Sequence, residues 1–175
     1  ANNPKATNTL QQMFGPSLAL GTPGISLLQM TGAYQVFANN GARVPYHNIL
    51  DIWDNYGHNL YHYDPTHPNS TQVLTPQISF MISSMLSDNP ARLEYEFGGT
   101  DTLVMTDYPG NHQVAAKTGT TDNNLDNWTM GYTSSVVVGV WSGNADGNDP
   151  MNGVIGITGA GPIWHHIIEY ASGRS

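Results

Sequence analysis

Hydrophobic positions fall into a few segments of clear period, separated by stretches rich in glycine and proline. Between Ser26 and Asn39 the residues Leu27, Met30, Tyr34 and Phe37 recur at helical spacing, with Leu28, Ala33 and Ala38 widening the stripe. The pattern predicts a core-facing helix, and Gly41 is placed to end it. Residues 44–53 and 59–63 are rich in β-branched and aromatic side chains and flank Asn55-Tyr56-Gly57, which predicts a hairpin with a wet edge. A second core helix is expected where Thr75 caps and Pro76 suits the first turn. Its stripe is Ile78, Met81, Ile82, Met85 and Leu86, and Pro90 blocks continuation.

Residues 91–111 are mixed, with turns at Gly98-Gly99 and Pro109-Gly110. Residues 114–120 read as a strand. The nearly unbroken apolar run from Val136 to Trp141 reads as another, covered on both faces and therefore central to its sheet. Pro162 opens a last helix with Ile163, Trp164, Ile167, Ile168 and Ala171 on its apolar side. The first 24 residues, broken by Gly15-Pro16 and Thr22-Pro23-Gly24, look like a connector from something earlier.

Composition narrows the function classes. With 39% hydrophobic and 10% charged residues, the 175-residue chain reads as globular and long enough to bury a real core. A net charge of −8 opposes nucleic acid and anionic bilayers, so neither is an expected partner. No apolar run reaches the roughly 18 residues of a membrane helix, and the start of the chain lacks a signal-peptide pattern. The chain itself therefore reads as soluble, with room for an anchor upstream. Having no cysteine, it forms no disulfide or thiolate metal site. His58, His62, His67 and Asp64 are zinc-ligand residue types, but Pro65 and Pro68 interrupt them and no single helical face holds them. They read as hairpin and loop residues; His165-His166 is a weaker candidate still, and Arg43, Arg92 and Arg174 are too scattered for a phosphate patch. Neither a metal nor a cofactor is expected.

The chemically informative segment is Lys117-Thr118-Gly119-Thr120-Thr121, which follows the apolar approach Val114-Ala115-Ala116. On a strand Lys117 and Gly119 point one way and Thr118 and Thr120 the other, although twist at an edge can bring ammonium and hydroxyls toward one cleft. Gly119 lets a ligand approach the backbone, so the Thr120 N–H can receive developing charge on an acyl oxygen while neighbouring hydroxyls grip a carboxylate.

This segment resembles the lysine-threonine-glycine signature of penicillin-binding proteins and serine β-lactamases. The flanking text is similar to class A, bifunctional penicillin-binding proteins: "PSLALG" at 16–21, "AYQVFANNG" at 33–41, "VAAKTGTT" at 114–121, "DNWTMGYT" at 126–133, "VVVGVW" at 136–141 and "GPIW" at 161–164, in the family's order. The resemblance implies a partial transpeptidase fold of the α/β (α+β) class, with a mainly antiparallel, five-stranded sheet covered by helices. It implies that Lys117 maintains the proton-transfer network and attracts a carboxylate, that Thr118, Gly119 and Thr120 bind substrate, and that the Thr120 amide is an oxyanion donor. Asp126, Trp128 and Tyr132 are expected to organise the turn into the next strand rather than to perform chemistry.

The chain departs from the family pattern in one large respect: it contains no Ser-x-x-Lys, the family's acylated serine and its helper. Ser87-Asp88-Asn89 imitates the second signature, Ser-x-Asn, but follows stretches that the family's element precedes; it and Ser142-Gly143-Asn144 read as turn chemistry. The expectation is a C-terminal portion, residues 1–175, of a transpeptidase domain, inactive alone. The parent is expected to crosslink peptidoglycan stem peptides and bind β-lactams, with a glycosyltransferase domain and membrane anchor upstream. A D,D-carboxypeptidase fragment and a noncatalytic binding or scaffolding domain remain open at this stage, as does self-association.

Overall fold

The computed structural model describes residues 12–95 and 114–173, and every strand pairing within them is antiparallel. A short 3-10 turn at Gly15–Leu20 leads to the helix Leu27–Ala38. The strands β1 (Ala42–Arg43), β2 (Asp51–Trp53), β3 (Asn59–His62) and β4 (Thr71–Gln72) follow. Then come the helices Pro76–Leu86 and Asn89–Tyr95, the strands β5 (Ala115–Thr120), β6 (Asp126–Tyr132) and β7 (Val137–Gly143), and the last helix, Ala160–Ser172.

The core is built on the sheet β5-β6-β7, in that order. On one face Val114, Ala116, Val138 and Val140 pack with Ile157, Ala160, Trp164 and Ile168. Trp164 and Ile168 lie one turn apart on the last helix and are fully buried, and the Trp164 ring lies over Gly131, where any Cβ would collide with it. The other face meets the Leu27–Ala38 and Pro76–Leu86 helices. There the Tyr132 hydroxyl bonds the Ser83 hydroxyl at 2.7 Å and the Tyr34 ring stands edge-on to Tyr132 at 6.4 Å.

The first helix forms as its pattern predicts, and a reciprocal cap fixes its start. Ser26 Oγ accepts the Gln29 N–H at 3.2 Å while Gln29 Oε1 accepts the Ser26 N–H at 3.1 Å. Gly41 ends the turn with φ at +89°, donating to the Val36 carbonyl at 2.7 Å. Its buried residue is Val36, with the expected stripe Leu27, Met30, Tyr34 and Phe37 half-buried around it.

Three expectations need correction. The Pro76–Leu86 helix is capped by Thr75 as expected, but its buried residue is Ser79; Ile78, Met81 and Met85 are 46%, 62% and 63% exposed. Periodicity locates an apolar stripe without supplying anything to cover it. Second, among the described strands β7 lies at the edge of its sheet and β6 is central. The apolar run in β7 arises because helices lie on both of its faces, not because strands flank it. The main sheet has three strands among the described residues. The Pro76–Leu86 helix ends before Pro90 as expected, and Pro90 lies in the first turn of the next helix: Asp88 Oδ1 accepts the Ala91 N–H at 3.1 Å, and proline in a first turn lacks only an N–H that would be unbonded there. Third, the early strand is confined to Asp51–Trp53, while Ala42–Arg43 pairs with Thr71–Gln72. The expected turns at Gly98-Gly99 and Pro109-Gly110 lie outside the described residues.

Candidate active site

The strand carrying Lys117 to Thr120 lies at a sheet edge, since β5 pairs with β6 alone among the described strands. Beyond its end, the Thr121 N–H donates to the Asp126 carbonyl at 2.9 Å. Backbone N–H groups alternate sides along an antiparallel strand, so the Thr120 N–H points to the open edge. Side chains alternate between faces. Lys117 stands opposite Met130 and Gly119 opposite Trp128; Thr118 stands opposite Thr129 and Thr120 opposite Asn127.

Lys117 is exposed, and its Nζ donates to the Thr118 carbonyl at 2.7 Å. Ion pairs among the described residues all join a histidine to a carboxylate, so none of them neutralises this ammonium. Gly119 presents a bare backbone whose nearest neighbour would be Trp128 Cβ, 3.7 Å from an added Cβ. The exposed Thr120 has its Oγ1 held by the Gly156 N–H at 3.0 Å. Thus Lys117 and Gly119 share one face with Trp128, while Thr118 and Thr120 share the other with a loop that runs behind the strand.

The three positions singled out on β6 serve different places. Asp126 closes the turn: its N–H donates to Thr121 Oγ1 at 2.8 Å and its Oδ1 accepts Trp141 Nε1 at 2.8 Å. Asn123 and Asn124 make the turn possible with φ of 60° and 54°, a region asparagine tolerates better than most residues. Trp128 is half-buried beside Gly119, and Tyr132 is buried at the far end, where burial pushes its phenol above the ordinary range against a smaller opposing effect of the Ser83 hydrogen bond. A cleft of about 160 Å³ opens at that far end, between Phe37, Phe80, Ser83, Ala115 and Tyr132. It contains none of Lys117, Thr118 or Thr120, so the concavity and the chemistry do not coincide. The candidate site is the group of cation, hydroxyls and outward amide on β5.

The model of the penicillin-binding protein transpeptidase domain matches residues 4–153. The chain belongs to this transpeptidase family. Penicillin-binding protein 1A of Neisseria gonorrhoeae, a class A relative, is 31% identical over 161 residues, covering 89% of this chain and 19% of the relative. The chain therefore spans about a fifth of the length of the curated relatives it matches. The crystal structure of penicillin-binding protein 1A from Haemophilus influenzae superposes with a TM-score of 0.72 at 23% identity, over 89% of this chain and 27% of that one, a likeness of fold. Penicillin-binding protein 3 from Mycobacterium tuberculosis, complexed with ampicillin, superposes with a TM-score of 0.62 at 25% identity, over 86% and 35% respectively.

In this transpeptidase domain several supporting residues escaped the sequence reading. Arg92, set aside as a scattered cation, reaches from the Asn89–Tyr95 helix to the Leu86 carbonyl and, at 3.2 Å, to the Ala116 carbonyl beside Lys117. Asn127 and Thr129 are fully buried. Alternation gave no signal for these two, because in 126–132 they alternate with Trp128, Met130 and Tyr132 and read as the polar, outward side. Ser87-Asp88-Asn89 acts at helix ends: Ser87 Oγ donates to the Ser83 carbonyl at 2.7 Å and Asn89 Oδ1 accepts Arg92 at 2.6 Å. The hairpin histidines go to separate carboxylates, His58 to Asp54, His62 to Asp51 and His67 to Asp64. No helix among the described residues is long and apolar enough to cross a membrane.

Proposed function

We propose that this transpeptidase domain forms the carboxylate-binding edge of a serine acyl-transfer site that crosslinks peptidoglycan stem peptides and is acylated by β-lactams. The observation that carries the reading is the open edge of β5, where an exposed ammonium, two hydroxyls and an outward amide occupy four consecutive residues. Lys117 supplies positive charge for a substrate carboxylate and for the proton-transfer network. Thr118 and Thr120 donate hydrogen bonds to that carboxylate, and the bare backbone at Gly119 lets the acyl group approach. The Thr120 N–H, directed to the open edge, stabilises negative charge on the acyl oxygen in the transition state. Asp126 organises the turn into β6, Trp128 lies beside Gly119, and Tyr132 ties the far end of β6 to the Pro76–Leu86 helix.

The nucleophile is a serine from a segment preceding Ala1 in the parent chain, because residues 1–175 contain no Ser-x-x-Lys. That serine attacks the D-alanyl-D-alanine peptide bond; D-alanine leaves, and an amine of a neighbouring stem takes the acyl group. The domain is carried outside the cytoplasm by a membrane-anchored parent with a glycosyltransferase domain. Intact-protein mass spectrometry after incubation with a fluorescent penicillin tests this division of labour. The 175-residue chain is expected to stay unmodified while the full-length parent gains one penicillin mass on its Ser-x-x-Lys serine. A near-stoichiometric adduct on a serine within residues 1–175 would overturn it.

A further inference from the structure

Behind the Lys117–Thr120 strand, two buried positions of β6 are polar on a face whose core is otherwise apolar. Asn127 and Thr129 on β6 are both 0% exposed. Asn127 holds the last helix: its Oδ1 accepts the Ala160 N–H at 2.9 Å, at a helix start that has no side-chain cap of its own. Thr129 is aimed elsewhere. Its hydroxyl donates to the Gly156 carbonyl at 3.1 Å, which also accepts the Gly161 N–H at 2.8 Å, and the Gly156 N–H donates to Thr120 Oγ1 at 3.0 Å. Residue 156 is also confined sterically. A Cβ there would lie 2.8 Å from the Gly119 carbonyl oxygen, 2.9 Å from Thr118 Cβ and 3.0 Å from the Trp128 carbonyl oxygen.

A threonine hydroxyl carries one proton and two acceptor positions. With the Gly156 N–H directed at one acceptor position, the Thr120 proton does not point at that N–H, and Thr120 itself is exposed. We propose that Thr129 and Gly156 are positioning residues for the carboxylate clamp: Thr129 fixes residue 156, whose N–H holds the Thr120 hydroxyl as a donor toward the substrate carboxylate. Neither residue touches the substrate. The inference rests on the role proposed above for Thr120, and it makes the loop behind the strand part of carboxylate specificity.

The experiment uses the full-length parent and measures second-order acylation by a penicillin with a free carboxylate and by its methyl ester. Their ratio reports carboxylate discrimination, which a general loss of stability would not lower selectively. Thr129→Val keeps the side-chain shape and loses the donor; the ratio is expected to fall about three-fold to ten-fold with the ester rate nearly unchanged, and Thr129→Ser is expected to restore it. An unchanged ratio in Thr129→Val, alongside a lowered ratio in Thr120→Val, overturns the positioning role and leaves the clamp standing. An unchanged ratio in both removes the clamp and this inference with it. Should Thr129→Val fail to fold, Thr120→Ser at the exposed position decides. A hydroxyl held by Gly156 needs no β-methyl to orient it, so the ratio is expected to stay within about two-fold of the parent's. A loss as large as that of Thr120→Val would overturn the proposal.

Discussion

Two regions of this chain use similar residues to opposite ends. In the β5-β6-β7 region, Trp164 is 0% exposed beneath the sheet; in the hairpin of β2 and β3, Trp53 is 60% exposed and every strand residue faces solvent. Apolar content alone does not separate them, since the hairpin also carries Ile52, Leu60 and Tyr61. The difference is a second layer. The sheet has helices on both faces, whereas the hairpin is held by local bonds: Asp54 Oδ1 accepts the Tyr56 and His58 N–H groups at 2.8 and 2.9 Å, and Asp51 takes His62 and Asn59. One region is organised by burial, the other by turn chemistry.

The largest expected effect tests burial directly. Trp164→Ala empties a fully buried site and is expected to cost about 3–5 kcal/mol in denaturant unfolding, against about 0.5 kcal/mol or less for Trp53→Ala. Equal losses would break the comparison. Asn127→Ala comes next: it leaves the buried Ala160 N–H without its acceptor and is expected to cost about 1–3 kcal/mol by the same measurement. Tyr132→Phe deletes only the hydroxyl shared with Ser83, at about 1 kcal/mol.

The smallest effect belongs to the hairpin side of the comparison. The Asp64 carboxyl is held down to about 2, first by the Thr66 hydroxyl and then by His67. A lowered folded-state value means that its contribution is present above the ordinary aspartate range near 4 and is lost as pH falls toward about 2. Proton NMR of the Thr66 amide is expected to follow that titration with the Trp164 signals unchanged. A midpoint at the ordinary aspartate value would contradict the local hydrogen bonds.

Much of the fold was legible in the chain. Thr75 with Pro76, and Pro162, marked helix starts by local chemistry, which acts within a turn and therefore shows in sequence. What the local pattern could not supply was the location of neighbours. Ile78, Met81 and Met85 make a convincing apolar stripe, yet Ser79 is the residue that meets the core; β7 looks central because two helices cover it. At the candidate site Lys117 to Thr120 stood out by residue type and spacing. Their supports did not: Arg92 reaches Ala116 across 24 residues, and Gly156 reaches Thr120 across 36. Such partners are chosen by tertiary contact, and neither a lone arginine nor a glycine in a loop announces one.

The central claim is that the open edge at Lys117 to Thr120 grips a substrate carboxylate. Thr120→Val in the full-length parent removes the hydroxyl while keeping the outward N–H and the strand-compatible shape. Second-order acylation by penicillin is expected to fall about ten-fold to a hundred-fold, the range for losing a hydrogen bond to a charged group, with the unfolding midpoint nearly unchanged. An unchanged acylation rate in the folded variant would contradict the claim.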